Sequence, residues 1–143
     1  MRLWTLRDGR RAGFALMTFV IISVVGCAGK DPQPVEIFPE DACANCRMAV
    51  SSKQFASEII TTKGKVHKFD DINCLDQFSV RNPEEKSAAT YYMDYDTRQW
   101  LRAGECTIVT TGISTPMGSG KVAVADVKRA EELCGQFPSS GDK

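Results

Sequence analysis

A strand, a glycine turn, a second strand and an aspartate-capped helix occur twice in this chain of 143 residues, and that order leaves few folds open. Residues 55–62 are rich in β-formers, Lys63-Gly64 supplies a turn, and residues 65–69 make a second strand. Asp70-Asp71 follows as an N-cap, with Ile72, Leu75 and Phe78 at helical spacing until Asn82-Pro83 stops the helix. Residues 106–113 and 121–125 repeat the strand pair around a Pro- and Gly-containing loop, 114–120. Asp126 then caps a helix with Val127, Ala130, Leu133, Cys134 and Phe137 on one face, ended by Pro138. Residues 64–70 align without gaps on 120–126, sharing Gly, Lys, Val and Asp, which points to an internal duplication. Residues 90–95 and 99–101 add strands between the copies, with Asp96-Thr97 turning between them. The expected fold class is α+β, two related ββα modules at about 47–82 and 104–138 within one small domain, 41–143.

The first 26 residues read as an address. Arg2, Arg7, Arg10 and Arg11 form a basic region, residues 12–25 are uncharged and largely apolar, and Val24-Val25-Gly26-Cys27 has the form of a lipoprotein cleavage site. The apolar run is shorter than the ~20 residues that span a bilayer. Acylation of the Cys27 thiol is expected, and Ala28 after it weakly favours the outer membrane, facing the periplasm. Residues 27–40, with Pro32, Pro34 and Pro39, read as an extended tether. Without the leader, 14 basic residues stand against 17 acidic ones, a net charge of −3. No basic face suggests nucleic acid.

With Cys27 lipidated, five cysteines remain: Cys43, Cys46, Cys74, Cys106 and Cys134. An odd number in an exported protein leaves at least one thiol unpaired, so a disulfide scaffold is incomplete as an explanation. The segment Cys43-Ala44-Asn45-Cys46-Arg47-Met48 packs two thiols and a thioether into six residues. Cys-x-x-Cys alone fits a dithiol redox pair, half a zinc site or a disulfide. A thioredoxin-type pair needs a strand-to-helix setting, whereas this one leads from a Pro-rich tether into strands. Zinc favours four N or S ligands, yet there is no second Cys-x-x-Cys and His67 is the only histidine. Met48 favours Cu(I), because thioethers are soft donors. Spacing i, i+2 would put Cys46 and Met48 on one side of an extended segment. Met117, between Pro116 and Gly118, is a second loop-borne thioether, whereas Met93 sits in an apolar strand and reads as core. His67 reads as surface or as a supporting residue, Cys74 and Cys134 as inert core thiols, and Cys106 as a strand residue without metal neighbours. Trp100 reads as an anchor and Asp94 as a turn cap.

Taken together, these motifs resemble the NosL family of copper-binding lipoproteins. The likeness rests on Cys27, Cys43-x-x-Cys46-x-Met48, Phe69-Asp70-Asp71 with Cys74 and Phe78, Tyr92-Met93-Asp94-Tyr95 with Trp100, and Thr115-Pro116-Met117-Gly118. The resemblance implies a non-enzymatic periplasmic chaperone that receives Cu(I) for maturation of nitrous oxide reductase. Its implied partners are the periplasmic component of an ABC transporter and, through it, the reductase. The implied ligands are Cys46, Met48 and Met117; donor chemistry alone makes Cys43 or His67 a candidate fourth donor. The position before the motif Met, commonly Gly in the family, is Arg47 here. The alternatives are an exported thiol–disulfide oxidoreductase using Cys43 and Cys46, a structural zinc lipoprotein, and a lipoprotein with a purely adhesive or scaffolding role.

Overall fold

The computed structural model describes residues 31–139, so Cys27 and the leader lie outside the described residues. The first module is β1 (Ser57–Thr61), β2 (Val66–Phe69) and α1 (Ile72–Arg81). Strands β3 (Ser87–Met93) and β4 (Trp100–Arg102) follow, and the second module is β5 (Thr107–Thr110), β6 (Lys121–Val124) and α2 (Val127–Gln136). The first four strands form an antiparallel sheet in the order β2-β1-β3-β4, and β5-β6 is a separate two-stranded ribbon. The expected α+β architecture of two ββα modules, with strands between them, is what the chain adopts.

The two modules repeat local chemistry as well as order. Gly64 and Gly120 both have positive φ, at 78° and 66°, where a side chain would be strained. Both helices have an aspartate N-cap whose side chain accepts from the backbone N–H two residues on: Asp71 from Asn73 and Asp126 from Lys128. The alignment slips at this point. Residues 64–70 and 120–126 pair Asp70 with Asp126, but Asp71 is the cap; strand and helix are two residues apart in both copies, so the extra residue of the first copy lies between Gly64 and β2, and Asp70 takes the place of Ala125. Asp70 therefore stands before the cap and is free for another purpose.

Ile59, Phe69, Ile72, Leu75 and Phe78 pack the first module against its helix, joined by Met93 as expected. Phe55, Val122, Val124, Ala130 and Leu133 form the second core. The face expected of α2 is only partly covered. Ala130 and Leu133 are buried, while Val127 and Phe137 are exposed and Cys134 is half-buried. A two-stranded ribbon offers too little surface to cover the whole stripe. Asp94 caps its turn as expected, accepting from the N–H groups of Asp96 and Thr97, and its second oxygen accepts from Ala125 to tie the two modules together.

Part of the expected tether is docked. Ile37 is buried in the first core, the Tyr91 hydroxyl donates to the Pro32 carbonyl, Lys68 Nζ donates to the Glu36 carbonyl, and Arg102 pairs with Asp31. Beneath this strap lies Glu58, fully buried on β1, which accepts from the Val35 N–H at 3.1 Å. Burial pushes its carboxyl up to about 7, more than the Val35 N–H and the Lys68 charge pull it down.

Between about pH 4.5 and 7 the folded chain therefore keeps a proton on Glu58 that the unfolded chain has lost. Stability falls as pH rises through that window, because the folded state binds more protons. Chemical denaturation is expected to show a loss of roughly 1–3 kcal/mol between about pH 5 and pH 8. Glu58→Gln is expected to flatten that dependence and to be the more stable form at the higher pH.

Candidate metal centre

Residues 42–49 form a closed hairpin loop. An antiparallel bridge joins Ala42 to Ala49, the Cys43 N–H donates to the Met48 carbonyl at 2.7 Å, and the Arg47 N–H donates to the Cys43 carbonyl at 3.0 Å. The expectation of an extended segment at Cys46–Met48 is therefore corrected. Arg47 has φ 67°, a left-handed conformation that glycine adopts without strain. This turn sends the two sulfurs to different depths. Cys43 is fully buried, Cys46 is half-buried, and Met48 is 57% exposed. The Ala44 N–H donates to the Lys68 carbonyl, fastening the loop to β2.

Beneath the loop, the sulfurs of Cys43, Cys46 and Cys74 and a carboxylate oxygen of Asp70 all lie within 4.8 Å of one another. Cys46 Sγ is 3.6 Å from Asp70 Oδ1. Cys74 is therefore more than the inert core thiol expected. The first turn of α1 carries it to the same point as the residue that β2 delivers just before the helix. Burial raises the Cys43 thiol above its ordinary value, opposed by the backbone N–H groups of Cys46 and Asp70. Burial also raises Cys74, with further upward contributions from Cys43 and Asp70. Both are neutral thiols until something displaces their protons.

Met117 reaches this end of the molecule through Asp71. Asp71 Oδ2 accepts from the Thr115 hydroxyl at 2.7 Å and from the Met117 N–H at 3.0 Å, while Oδ1 accepts from the Ser119 hydroxyl at 2.7 Å. Burial pushes Asp71 up, but these bonds with that of Asn73 together hold it below the ordinary carboxylate value. The loop between β5 and β6 is thus clamped to the N-terminus of α1, leaving the Met117 side chain 41% exposed. Met48, Asp70, Thr115 and Pro116 line one cavity of about 330 Å³. Met48, Asp70 and the loop that carries Met117 thus share one cleft, and Cys46 approaches it through Asp70.

His67 is not in that group. It is buried on β2, on the same face as Phe69, with its ring 4.5 Å from that of Phe78 and Nε2 3.5 Å from a Glu85 carboxylate oxygen. Period-two alternation of β2 turns it towards α1; of the two expectations, surface or supporting residue, the first is corrected by its burial, and it is not placed among the thiols. Cys106 is half-buried against the first core and Cys134 approaches the Thr110 carbonyl; neither joins the cluster. Sequence reasoning missed Asp70 and Cys74 as neighbours of the motif. The signal was present in Asp-Asp, where one aspartate suffices for a cap.

The fold and this cleft define a small domain with a sulfur-rich cluster that could hold a metal ion. The model of the NosL family matches residues 34–137, and the chain belongs to that family. Among solved structures, the copper chaperone NosL from Shewanella denitrificans is similar, with a TM-score of 0.65 and 19% sequence identity over 76% of this chain and 90% of that one. No curated protein matches.

The Met117 loop depends on Gly120, where an added Cβ would stand 2.0 Å from the Thr111 carbonyl oxygen. Gly120→Ala is expected to cost about 3 kcal/mol in denaturant unfolding and to release the loop from Asp71. Arg47→Gly is expected to have the opposite sign, a gain of about 0.5–1 kcal/mol from relief of left-handed strain.

Proposed function

We propose that this chain is a non-enzymatic Cu(I) carrier, taking the ion at Cys46, Met48 and Met117 with Cys43 adjoining, and handing it to a protein partner. The observation that carries this reading is the exposed thioether of Met48 in a cleft shared with Asp70, which the half-buried Cys46 thiol approaches, and with the loop that bears the exposed Met117. Neither Met48 nor Met117 is buried in a core, so packing does not explain them. One thiolate and two thioethers would give Cu(I) a neutral site of low coordination that disfavours harder ions. Exposure of Met48 and Met117 lets an incoming donor reach the ion, as exchange between proteins requires.

The likeness to a copper chaperone supports the choice of metal. On this reading the client is nitrous oxide reductase, reached through the periplasmic component of an ABC transporter. The protein would act at the periplasmic side of the membrane, held by lipid on Cys27, on the outer membrane if Ala28 sorts it. Among the described residues no helix is long and apolar enough to cross a membrane. Cys43 argues against a thiol–disulfide oxidoreductase, because burial raises its thiol and a nucleophile needs a lowered one.

The second reading is a structural zinc site. It is favoured by the mutual approach of Cys43, Cys46, Cys74 and Asp70, a donor set of three sulfurs and one oxygen that zinc accepts. Anaerobic titration distinguishes the two. With a competing Cu(I) chelator, Cys46→Ser, Met48→Leu and Met117→Leu are each expected to weaken binding at least about tenfold, ~1.4 kcal/mol. The Met→Leu changes keep volume and are expected to leave the fold intact. Cu(I) loading should release about one proton, whereas a site of two or three thiolates releases about two or more. Tight Zn²⁺ binding that survives Met48→Leu, with Cu(I) affinity unmoved by either Met change, would favour the zinc reading.

A further inference from the structure

We propose that the cleft beside Met48 continues into a cationic trough that docks a carboxylate-bearing segment of the protein exchanging metal with this one. The identity of the cargo rests on the copper-carrier reading; the complementarity of charge does not. The cleft has Ser51 and Ser52 in its wall, and the same two serines line a second cavity of about 380 Å³ with Lys53, Gln54 and Arg98. The two cavities therefore share a wall, with thioether sulfur at one end and two cations at the other. Arg47 stands next to Met48 in the hairpin. Asp70 is the single acid lining either cavity, and it is buried against Cys46.

The arginines sort by position. Of the five among the described residues, Arg81 bonds Gln77, Arg102 pairs with Asp31, and Arg129 pairs with Asp96 and Glu132. Arg47 and Arg98 are exposed, and their side chains have no hydrogen bond or ion pair among the described residues. They are also the two non-glycine residues there with positive φ, at 67° and 57°. Left-handed backbone costs about 1–2 kcal/mol for such residues, and strain of this kind collects where function holds it. Lys53 reaches only Glu36, at 4.0 Å. A mature chain of net charge −3 thus keeps two unneutralised arginines, and a lysine only loosely paired with Glu36, around its soft-donor cleft. Charge of one sign beside a concave site steers and orients a partner of the other sign. The occupant it fits is an extended acidic segment lying along the serines, bringing its own metal donors to Met48. A flat layer of headgroups would not enter the concavity.

The test uses the full mature chain, metal-free and copper-loaded, at low ionic strength. The probes are a fluorescent oligo-aspartate peptide and two copper-capturing chelators, the anionic bathocuproine disulfonate and the uncharged neocuproine. Lys53→Glu with Arg98→Glu is compared with a control of the same charge change away from both cavities, Lys63→Glu with Lys128→Glu. The trough pair is expected to weaken peptide binding about tenfold and to slow capture by the anionic chelator to a similar degree. Capture by the uncharged chelator should not change, and the difference should fade as salt screens it. The neutral pair Lys53→Gln with Arg98→Gln should fall between, which guards against misfolding of the reversed pair. Equal effects from the control pair would overturn the proposal, as would peptide binding indifferent to both. Tighter binding to phosphatidylglycerol vesicles than to peptide, lost in the trough pair, would also overturn it in favour of a membrane face. Peptide binding as expected in a chain that takes up no Cu(I) would keep the trough and overturn the copper reading.

Discussion

Everything near the cleft depends on the buried carboxylate of Asp71. It caps α1 through Asn73, and the same two oxygens hold Thr115, Met117 and Ser119 from the second module. A charged acceptor of this kind makes stronger hydrogen bonds than a neutral one, and leaving it unpaired in the interior would be costly. The helix start and the Met117 loop are therefore fixed by one group. Without it the second thioether would sit on a free loop, and convergence with Met48 would cost loop-ordering entropy at each binding event.

Its neighbour Asp70 does a different task. Standing one residue before the cap, it turns towards Cys46 and completes the group with Cys43 and Cys74. The result is a site graded in depth. Buried thiols, held neutral by desolvation, lie behind, and exposed thioethers lie in front. On the proposed function, that gradient suits a carrier: the outer donors exchange with a partner while the inner thiols are shielded from oxidants by their burial.

The sequence made the elements legible because their signals are local. Apolar periodicity and an aspartate cap located α1 and α2, and Gly64 and Gly120 marked turns that require positive φ. The exposed state of Met117 agrees with its place between Pro116 and Gly118 in a loop. What was not legible is tertiary. Cys74 looks like any apolar helix residue until α1 is laid against the hairpin. His67 looks like a surface strand residue until Phe78 covers it. The depth of Cys46 relative to Met48 depends on one left-handed residue, Arg47, which no propensity for arginine would suggest. Docking of Ile37 and the strap over Glu58 likewise comes from contacts distant in sequence, which a Pro-rich composition conceals.

The central claim is that both thioethers bind the metal. X-ray absorption at the copper edge of Cu(I)-loaded protein, with selenium replacing sulfur in its methionines, tests it without altering shape. Met48→Leu and Met117→Leu, each in the labelled protein, assign the signal to a position. Copper–selenium scattering is expected in the parent, reduced in each single variant and absent from the double variant. A copper environment of sulfur alone in the labelled parent, unchanged in both variants, would contradict the account and leave the metal with the cysteines.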